Sequence, residues 1–479
     1  MRWPFAAALV VAALLAAACR SDDPPPPGGG LPRGPILLVG LDGFEWSAVL
    51  PLIREGRLPH LAQLIARGSY GTIESIPARN SPALWTTIAT GKSIEKHGIT
   101  DFLKARKPPV FYTSADRRVK AFWNMLSERG QHVSTIGWFV THPVETVSGW
   151  MVAQANTSEV MKARHVKKGS VLPGLSGQVH PPEREAEVFA VLEQVESELD
   201  AIVAERIRER VEDAPTRFRG PIEASRWAFR ADAAYERLAL RAAADAPDVL
   251  AVYFGSPDVI GHRFWPFARP RRFPDRHFAG KLGKRFAPHV APGSWGHAAF
   301  GGLFWRAMEP AFDVAWPGQV LARTYEYADT VLGRLVAAMP AEARVIVVSD
   351  HGFRPWHHTD GPDGFFAAAG PGLRDMDGPE PAHLERGDLR RLGRIHDVGP
   401  TLLALAGLPV GLDMDGRPLD TVLAPDPRLP RPAPIATWDD PAWVAKRRAA
   451  GAAAAAPPPP TADAEAERLE QLRALGYIQ

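Results

Sequence analysis

The chain has a single cysteine, Cys19, in 479 residues, so neither a disulfide nor thiol catalysis is available to the folded body. Net charge is nearly absent as well. With 56 Lys and Arg against 54 Asp and Glu, the formal charge is +2, which gives no global reason to expect a nucleic acid or an anionic membrane as partner. Apolar runs of membrane-spanning length are missing too: the N-terminal stretch 5–18 is too short to span as an ordinary membrane helix. No internal repeat is evident. What is abundant is core material, with 46% apolar residues and 14 Trp, as in a well-filled globular protein rather than a disordered one. The length allows two or three domains, or one large α/β fold.

Arg2 and the apolar stretch 5–18 end in Leu15-Ala16-Ala17-Ala18-Cys19. Small residues leading into a cysteine resemble a bacterial lipoprotein signal over residues 1–19, although Leu15 lies one place upstream of the usual pattern. An ordinary secretory signal cleaved nearby is the alternative. Residues 20–34, rich in Pro and Gly, read as an extended tether. The expectation is an exported protein, periplasmic or at the cell surface, held to a bacterial membrane by a lipid on Cys19.

Folded sequence starts near residue 35. Three apolar runs, at 36–41, 249–254 and 345–348, suit strands buried on both faces of a parallel sheet. Shorter strands are expected at 72–76, 133–139, 150–153 and 364–369. Helical periodicity covers 46–67, 82–90, 319–339 and 397–406, with Pro400 tolerable only in a first turn. Residues 180–247 form a helical insertion, either a lid or a solvated outer layer. Residues 263–318 form a second insertion. Its first part, 263–285, is basic and aromatic, and a substrate-specificity loop or membrane-facing patch is preferred over nucleic-acid binding. Residues 421–479 are a Pro/Ala-rich tail with a short terminal helix. Alternating strands and helices over 35–420 indicate an α/β fold with a largely parallel sheet.

The three long runs share one property: each ends in an acid, Asp42, Asp258 or Asp350. In a parallel sheet the C-terminal strand ends line one edge, where ligands bind. Asp350 is followed by His351, and an adjacent acid and imidazole begin a metal site or form a bland exposed loop pair. His262 lies four residues after Asp258, a spacing that puts both on one helical face. His358 brings the set to three carboxylates and three imidazoles, enough for two ions with mixed oxygen and nitrogen ligands. Such ligands suit zinc, and manganese or another first-row metal also fits. Ser81 stands before Pro82 and a helix, either as a helix cap or as a nucleophile at an anion-stabilising N-terminus.

These segments together resemble the alkaline phosphatase superfamily, and within it the type I phosphodiesterase/nucleotide pyrophosphatase branch. The resemblance rests on L-V-G-L-D-G-F at Asp42, N-S-P-A-L-W-T-T-I-A-T-G-K-S-I-E-K-H-G-I from Asn80, and Y-F-G-S-P-D-V-I-G-H ending at His262. V-V-S-D-H-G-F around Asp350, H-T-D-G-P-D-G-F-F-A-A-A-G-P-G-L from His358 and D-V-G-P-T-L-L-A-L-A-G-L-P from Asp397 complete it. It implies an alkaline-phosphatase-like three-layer sandwich with helical insertions. It also implies Ser81 as nucleophile, one divalent ion on Asp258, His262 and His358, and a second on Asp42, Asp350 and His351 with Ser81 Oγ as a further ligand. The implied substrate is a phosphate ester, either a small molecule or a headgroup, with a phosphodiesterase as the leading expectation. A phosphomonoesterase or phosphotransferase of the same superfamily is the alternative, as is a non-catalytic surface-binding lipoprotein.

The sequence departs from that pattern in two ways. Nucleotide pyrophosphatases carry an asparagine after the nucleophile that binds a non-bridging oxygen, and none lies between Ser81 and Gly91. Asn80, Lys92 or the helix N–H groups are the substitutes available. His357 and His396 compete with His358 as third histidine, and His97 reads as structural. A sulfatase of the usual cysteine-derived formylglycine type is excluded, because Cys19 is the sole cysteine.

Overall fold

The computed structural model describes residues 34–104, 110–154, 176–214, 216–268, 315–353, 362–425 and 430–453. The signal and tether calls, most of the 263–318 insertion, the end of the tail, and both His357 and His358 lie outside the described residues.

The long apolar runs become strands buried along their whole length, β1 (Ile36–Leu41), β8 (Val249–Phe254) and β9 (Arg344–Val348). Between them in sequence come β2 (Ser69–Glu74), the small β3 (Leu103–Lys104) and β4 (Val110–Phe111) hairpin, β5 (Val133–Ile136), β6 (Met151–Val152) and β7 (Val179–His180). After them follow β10 (Gly364–Ala369) and β11 (Arg391–Arg394). Among the described residues, nine strands join in one sheet of order β11-β2-β10-β9-β1-β8-β5-β6-β7. The three acid-bearing strands are immediate neighbours with β1 in the middle, and both its pairings are parallel. Their C-terminal ends therefore open on the same edge. β10 runs against β9 and β2, and β7 against β6, so the sheet is mixed while its centre is parallel.

Alternation along the central strands fills two separate cores, because successive strand side chains point to opposite faces. Leu37, Val39 and Leu41 join Leu250, Val252 and Phe254 on one face; Ile36 and Leu38 join Val249, Ala251 and Tyr253 on the other. The result is a helix–sheet–helix sandwich, as the periodicity requires.

In chain order, the first helices are α1 (Trp46–Arg54), α2 (Pro59–Ile65), α3 (Ser81–Thr90), α4 (Ile94–His97) and α5 (Phe122–Ser127). Next are α6 (Glu185–Ser197), α7 (Leu199–Ile207), α8 (Thr216–Glu223), α9 (Arg226–Ala244) and α10 (Ser256–Ala268). The last are α11 (Ala315–Ala338), α12 (Val398–Ala406) and α13 (Pro441–Ala453). The 46–67 periodicity resolves into two helices, separated by a turn at Gly56, whose φ of +71° suits glycine. β5 stops at Ile136 because Gly137 takes a φ of +71°. α13 is a helix in the tail that periodicity did not disclose. Val188, Val191, Leu192 and Val195 of α6, and Leu238, Ala239 and Ala242 of α9, lie in the core of the first face. α3, α5 and α12 cover the second.

Candidate active site

The edge where β9, β1 and β8 end carries a buried cluster of charge. Asp42 follows β1 and is 1% exposed; Asp350 and His351 follow β9 at 0% and 2%; Asp258 in the first turn of α10 is 1% exposed. β1 runs directly into Asp42, and the Gly40–Val348 register brings Asp350, one residue beyond Ser349, level with it, while Asp258 lies past the end of β8 in the first turn of α10. Asp42 N–H still bonds to Phe254 O at 3.0 Å, so the loop after β1 leaves the sheet alongside the end of β8. Gly43 then turns with a φ of +62°, and a Cβ there would lie 3.1 Å from Asp258 Cα, Cβ and Oδ1. Glycine at this position is what lets the β8 loop come up against the β1 loop. Ser349 ties in the third loop, because its hydroxyl accepts from Phe44 N–H at 3.0 Å and donates to His351 O at 2.7 Å.

Asp42, Asp350 and His351 present ligand atoms within 4.8 Å of one another. His351 Nε2 lies 3.3 Å from Asp42 Oδ1 and 3.5 Å from Asp350 Oδ2. Its Nδ1–H donates to Gly352 O at 2.9 Å, which directs the Nε2 lone pair of the neutral ring toward both carboxylates. Asp258 and His262 stand together on one face of α10, with Oδ1 to Nε2 at 3.5 Å, as their four-residue spacing predicts. The edge of the His262 ring meets Phe353, with centroids 5.1 Å apart.

Ser81 is the first residue of α3 and completely buried. It is not the cap: Asn80 occupies that position, and Ser81 Oγ donates to Asp42 Oδ1 at 3.3 Å. The structure thus brings Ser81, Asp42, Asp350 and His351 together, and places the Asp258–His262 pair beside them.

Burial acts against every charge here, so neighbours decide the protonation. Asp350 is pushed well above the ordinary carboxylate range by desolvation and by the Asp42 and Asp258 charges. Burial would lower His351, but Asp350 and Asp42 outweigh it and raise the imidazole to about 10. Burial opposes Asp42 too, yet the bonds from His351 and Tyr253 hold its carboxyl below the usual value. Three buried acids on adjacent loops thus retain a proton within the cluster, shared between Asp350 and His351. A divalent cation in that proton's place satisfies the same field, and two carboxylates with an imidazole are a donor set for zinc or a related metal. Among the described residues, neither oxygen of Asp350 receives a hydrogen bond in ordinary geometry, which also fits a ligand role.

The substitutes for the missing asparagine are placed elsewhere. Asn80 donates to Asp101 Oδ1 at 2.8 Å. Lys92 is 1% exposed at the far end of α3, bonded to Asp413 and Asp439. The Ala83 and Leu84 N–H groups both turn back to Asn80 O, and Pro82 has none, so α3 contributes its dipole more than a row of free donors. His396 O lies against Gly91, which separates that residue from Ser81 by the length of α3, about 15 Å at 1.5 Å per residue.

Two residues that sequence reasoning missed contact Asp42 directly. Tyr253 O–H donates to Asp42 Oδ2 at 2.5 Å, and Trp85 Nε1–H donates to the same oxygen at 3.3 Å. Both sit inside apolar segments, where an aromatic residue reads as core.

The family model for type I phosphodiesterase / nucleotide pyrophosphatase matches residues 36–399. Among curated proteins no match was found. Solved structures similar to the chain include a 2-O GAG sulfatase, 12% identical, with 81% of this chain and 73% of that chain covered and a TM-score of 0.44. Phosphonoacetate hydrolase from Sinorhizobium meliloti 1021 is 18% identical, covering 69% of this chain and 59% of that chain with a TM-score of 0.36. Murine ectonucleotide pyrophosphatase / phosphodiesterase 5 is 14% identical, covering 66% and 57% with a TM-score of 0.32. No helix among the described residues is long and apolar enough to cross a membrane.

Proposed function

The chain belongs to the type I phosphodiesterase / nucleotide pyrophosphatase family, and from that premise we propose that it is a two-metal phosphoric-ester hydrolase with Ser81 as nucleophile, acting first on diesters. One observation carries this reading: Ser81 Oγ lies 3.3 Å from Asp42 Oδ1, in a buried cluster otherwise made of metal-ligand side chains.

Asp42, Asp350 and His351 would hold one ion, with Ser81 Oγ beside it. Asp258 and His262 would hold the other, with His358 as the histidine implied by the family pattern. Bound there, two divalent ions supply charge neutralisation for the attacking and leaving oxygens and lower the pKa of a hydroxyl or water; zinc is the first choice. The chain's own residues do the rest. Asp42 Oδ1 accepts the Ser81 hydrogen bond and so fixes the direction in which the Oγ lone pairs point. The α3 dipole places partial positive charge behind that oxygen. Attack by Ser81 Oγ on phosphorus forms a seryl ester and releases the alcohol; water then cleaves the ester and restores the hydroxyl. Burial of Ser81, Asp350 and His351 keeps bulk water from competing at the first step.

Export and anchoring through Cys19 belong to the same proposal, since the substrate would then meet the enzyme outside the cytoplasm. Ser81→Ala is expected to abolish turnover and covalent phosphoryl labelling while metal content persists; retained turnover would rule out the serine mechanism. A panel of bis-p-nitrophenyl phosphate, p-nitrophenyl phosphate, a nucleotide ester and a sulfate ester on metal-loaded protein separates diesterase, monoesterase and sulfatase activity.

A further inference from the structure

We propose that Tyr253 and Trp85 are positioning residues of the metal site, jointly holding Asp42 Oδ2 so that Oδ1 alone faces Ser81 and a bound cation. The inference rests on the two-metal reading above and assigns roles to two residues outside its ligand set.

The Asp42 carboxylate is divided between two kinds of neighbour. On one side, Oδ2 takes the Tyr253 phenol at 2.5 Å and the Trp85 indole at 3.3 Å. On the other, Oδ1 accepts from Ser81 Oγ and lies beside His351 Nε2, both at 3.3 Å. The two clamping donors come from different layers, one from β8 and one from α3, so moving Asp42 means moving the sheet against its covering helix.

The backbone shows how this arrangement is built. Tyr253 pairs with Gly40 across the parallel β1–β8 ladder. Gly40 lacks a side chain on the face that Tyr253 uses, and a Cβ there would lie 2.7 Å from the Trp85 ring. The indole therefore lies over Gly40 and reaches Asp42, two residues further along the same face. Edge-to-face contacts lock both rings. Trp85 meets Tyr253 and Trp138 with centroids 5.1 Å apart, and Phe139 meets Tyr253 at 5.0 Å. Trp85 is 0% and Tyr253 3% exposed.

The chemical consequence follows from the geometry. A carboxylate with one oxygen occupied by two donors binds a cation through the other oxygen, and its ring-locked partners fix the angle. Donation from the phenol is charge-assisted, which makes it a strong orienting bond. Removing such a partner of a metal ligand typically weakens metal affinity by about 10–100-fold.

Zinc titration by calorimetry on the full chain tests this, using Tyr253→Phe, which keeps the ring and its contacts but removes the hydroxyl. In an Asp258→Asn background the Asp42 cluster is the remaining intact site, and there Tyr253→Phe is expected to weaken zinc by about 10–100-fold. In the otherwise native chain, the ion at Asp258 and His262 should keep its affinity. Should Tyr253→Phe fail to fold, Trp85→Phe removes the other donor and carries the same expectation. Wild-type affinity at both sites in Tyr253→Phe, or equal weakening of both, would overturn the inference while leaving the two-metal reading in place. If the wild-type chain takes up no zinc at all, that reading fails and this inference fails with it.

Discussion

The carboxylate of Asp232 caps the first turn of the helix that begins at Ser256, accepting Gly255 N–H at 3.0 Å on one oxygen and Ser256 N–H at 3.1 Å on the other. Asp232 lies in α9 and is 1% exposed, so a helix of the covering layer sets the start of α10, which carries Asp258 and His262. Replacing it with alanine leaves a buried donor, Ser256 N–H, and a half-buried one, Gly255 N–H, without this acceptor. Asp232→Ala is expected to cost about 1–2 kcal/mol, measured by urea denaturation, and to weaken zinc at Asp258 and His262 more than at Asp42. Equal loss at both sites would mean that Asp232 supports the fold without aligning α10.

Lys92 supports α3, the helix that begins at Ser81, from its other end. Its ammonium is buried, while Asp413 and Asp439 are 34% and 17% exposed. Lys92→Met should destabilise the chain toward the lower end of the about 3–5 kcal/mol range for broken buried pairs, because both carboxylates keep some water. KM for a phosphate ester should not change. A large rise in KM with little loss of stability would instead make Lys92 a substrate contact.

His97 makes folding sensitive to acid. Its Nδ1 accepts Ile99 N–H at 3.1 Å, so Nε2 carries the hydrogen that reaches Thr87 Oγ1 at 3.0 Å. Burial, with the Arg117 charge next, lowers this imidazole from 6.5 to about 3. Because the folded value is depressed, the unfolded chain takes up a proton below pH 6.5 that the native state refuses. Stability is therefore complete above pH 6.5 and falls toward pH 3, by up to about 1.4 kcal/mol per unit. Denaturant midpoints of His97→Gln between pH 7 and pH 4 should show a shallower slope than the parent; parallel slopes would remove His97 from the account.

Metal removal should be visible in stability as well as in rate. A ligand that binds only the folded state adds about 2.7 kcal/mol at a hundredfold excess over its Kd. Melting curves with and without a chelator should differ accordingly, and re-addition of zinc should restore both melting temperature and turnover. Identical curves would count against a resident ion.

Local physics made much of this protein legible before any coordinates. The runs at β1, β8 and β9 suit strands buried on both faces, because they are short and have no polar interval. The acids that follow them are expected near the C-terminal strand ends, and the four-residue step from Asp258 to His262 suits one face of a helix, which α10 supplies. Other features needed the assembled fold. β10 reads like any short apolar strand, and only its hydrogen bonds to β9 and β2 reveal that it runs backwards. Tyr253 sits in an apolar run where a ring suits the core, and its hydroxyl becomes informative only once β8 lies beside β1. Lys92 and His396 looked available to the site, but α3 carries Lys92 to its far end and His396 packs against that same end.

The sequence alone therefore specifies which residues are chemically able to act and which strands bear them, since composition and period are local properties. Which of them meet is decided by strand order and by helix packing. β1 lies between β9 and β8 in space although β8 begins, at Val249, 208 positions after β1 ends at Leu41. Proximity at that range arises from burying both faces of one sheet, and no short stretch of sequence encodes it.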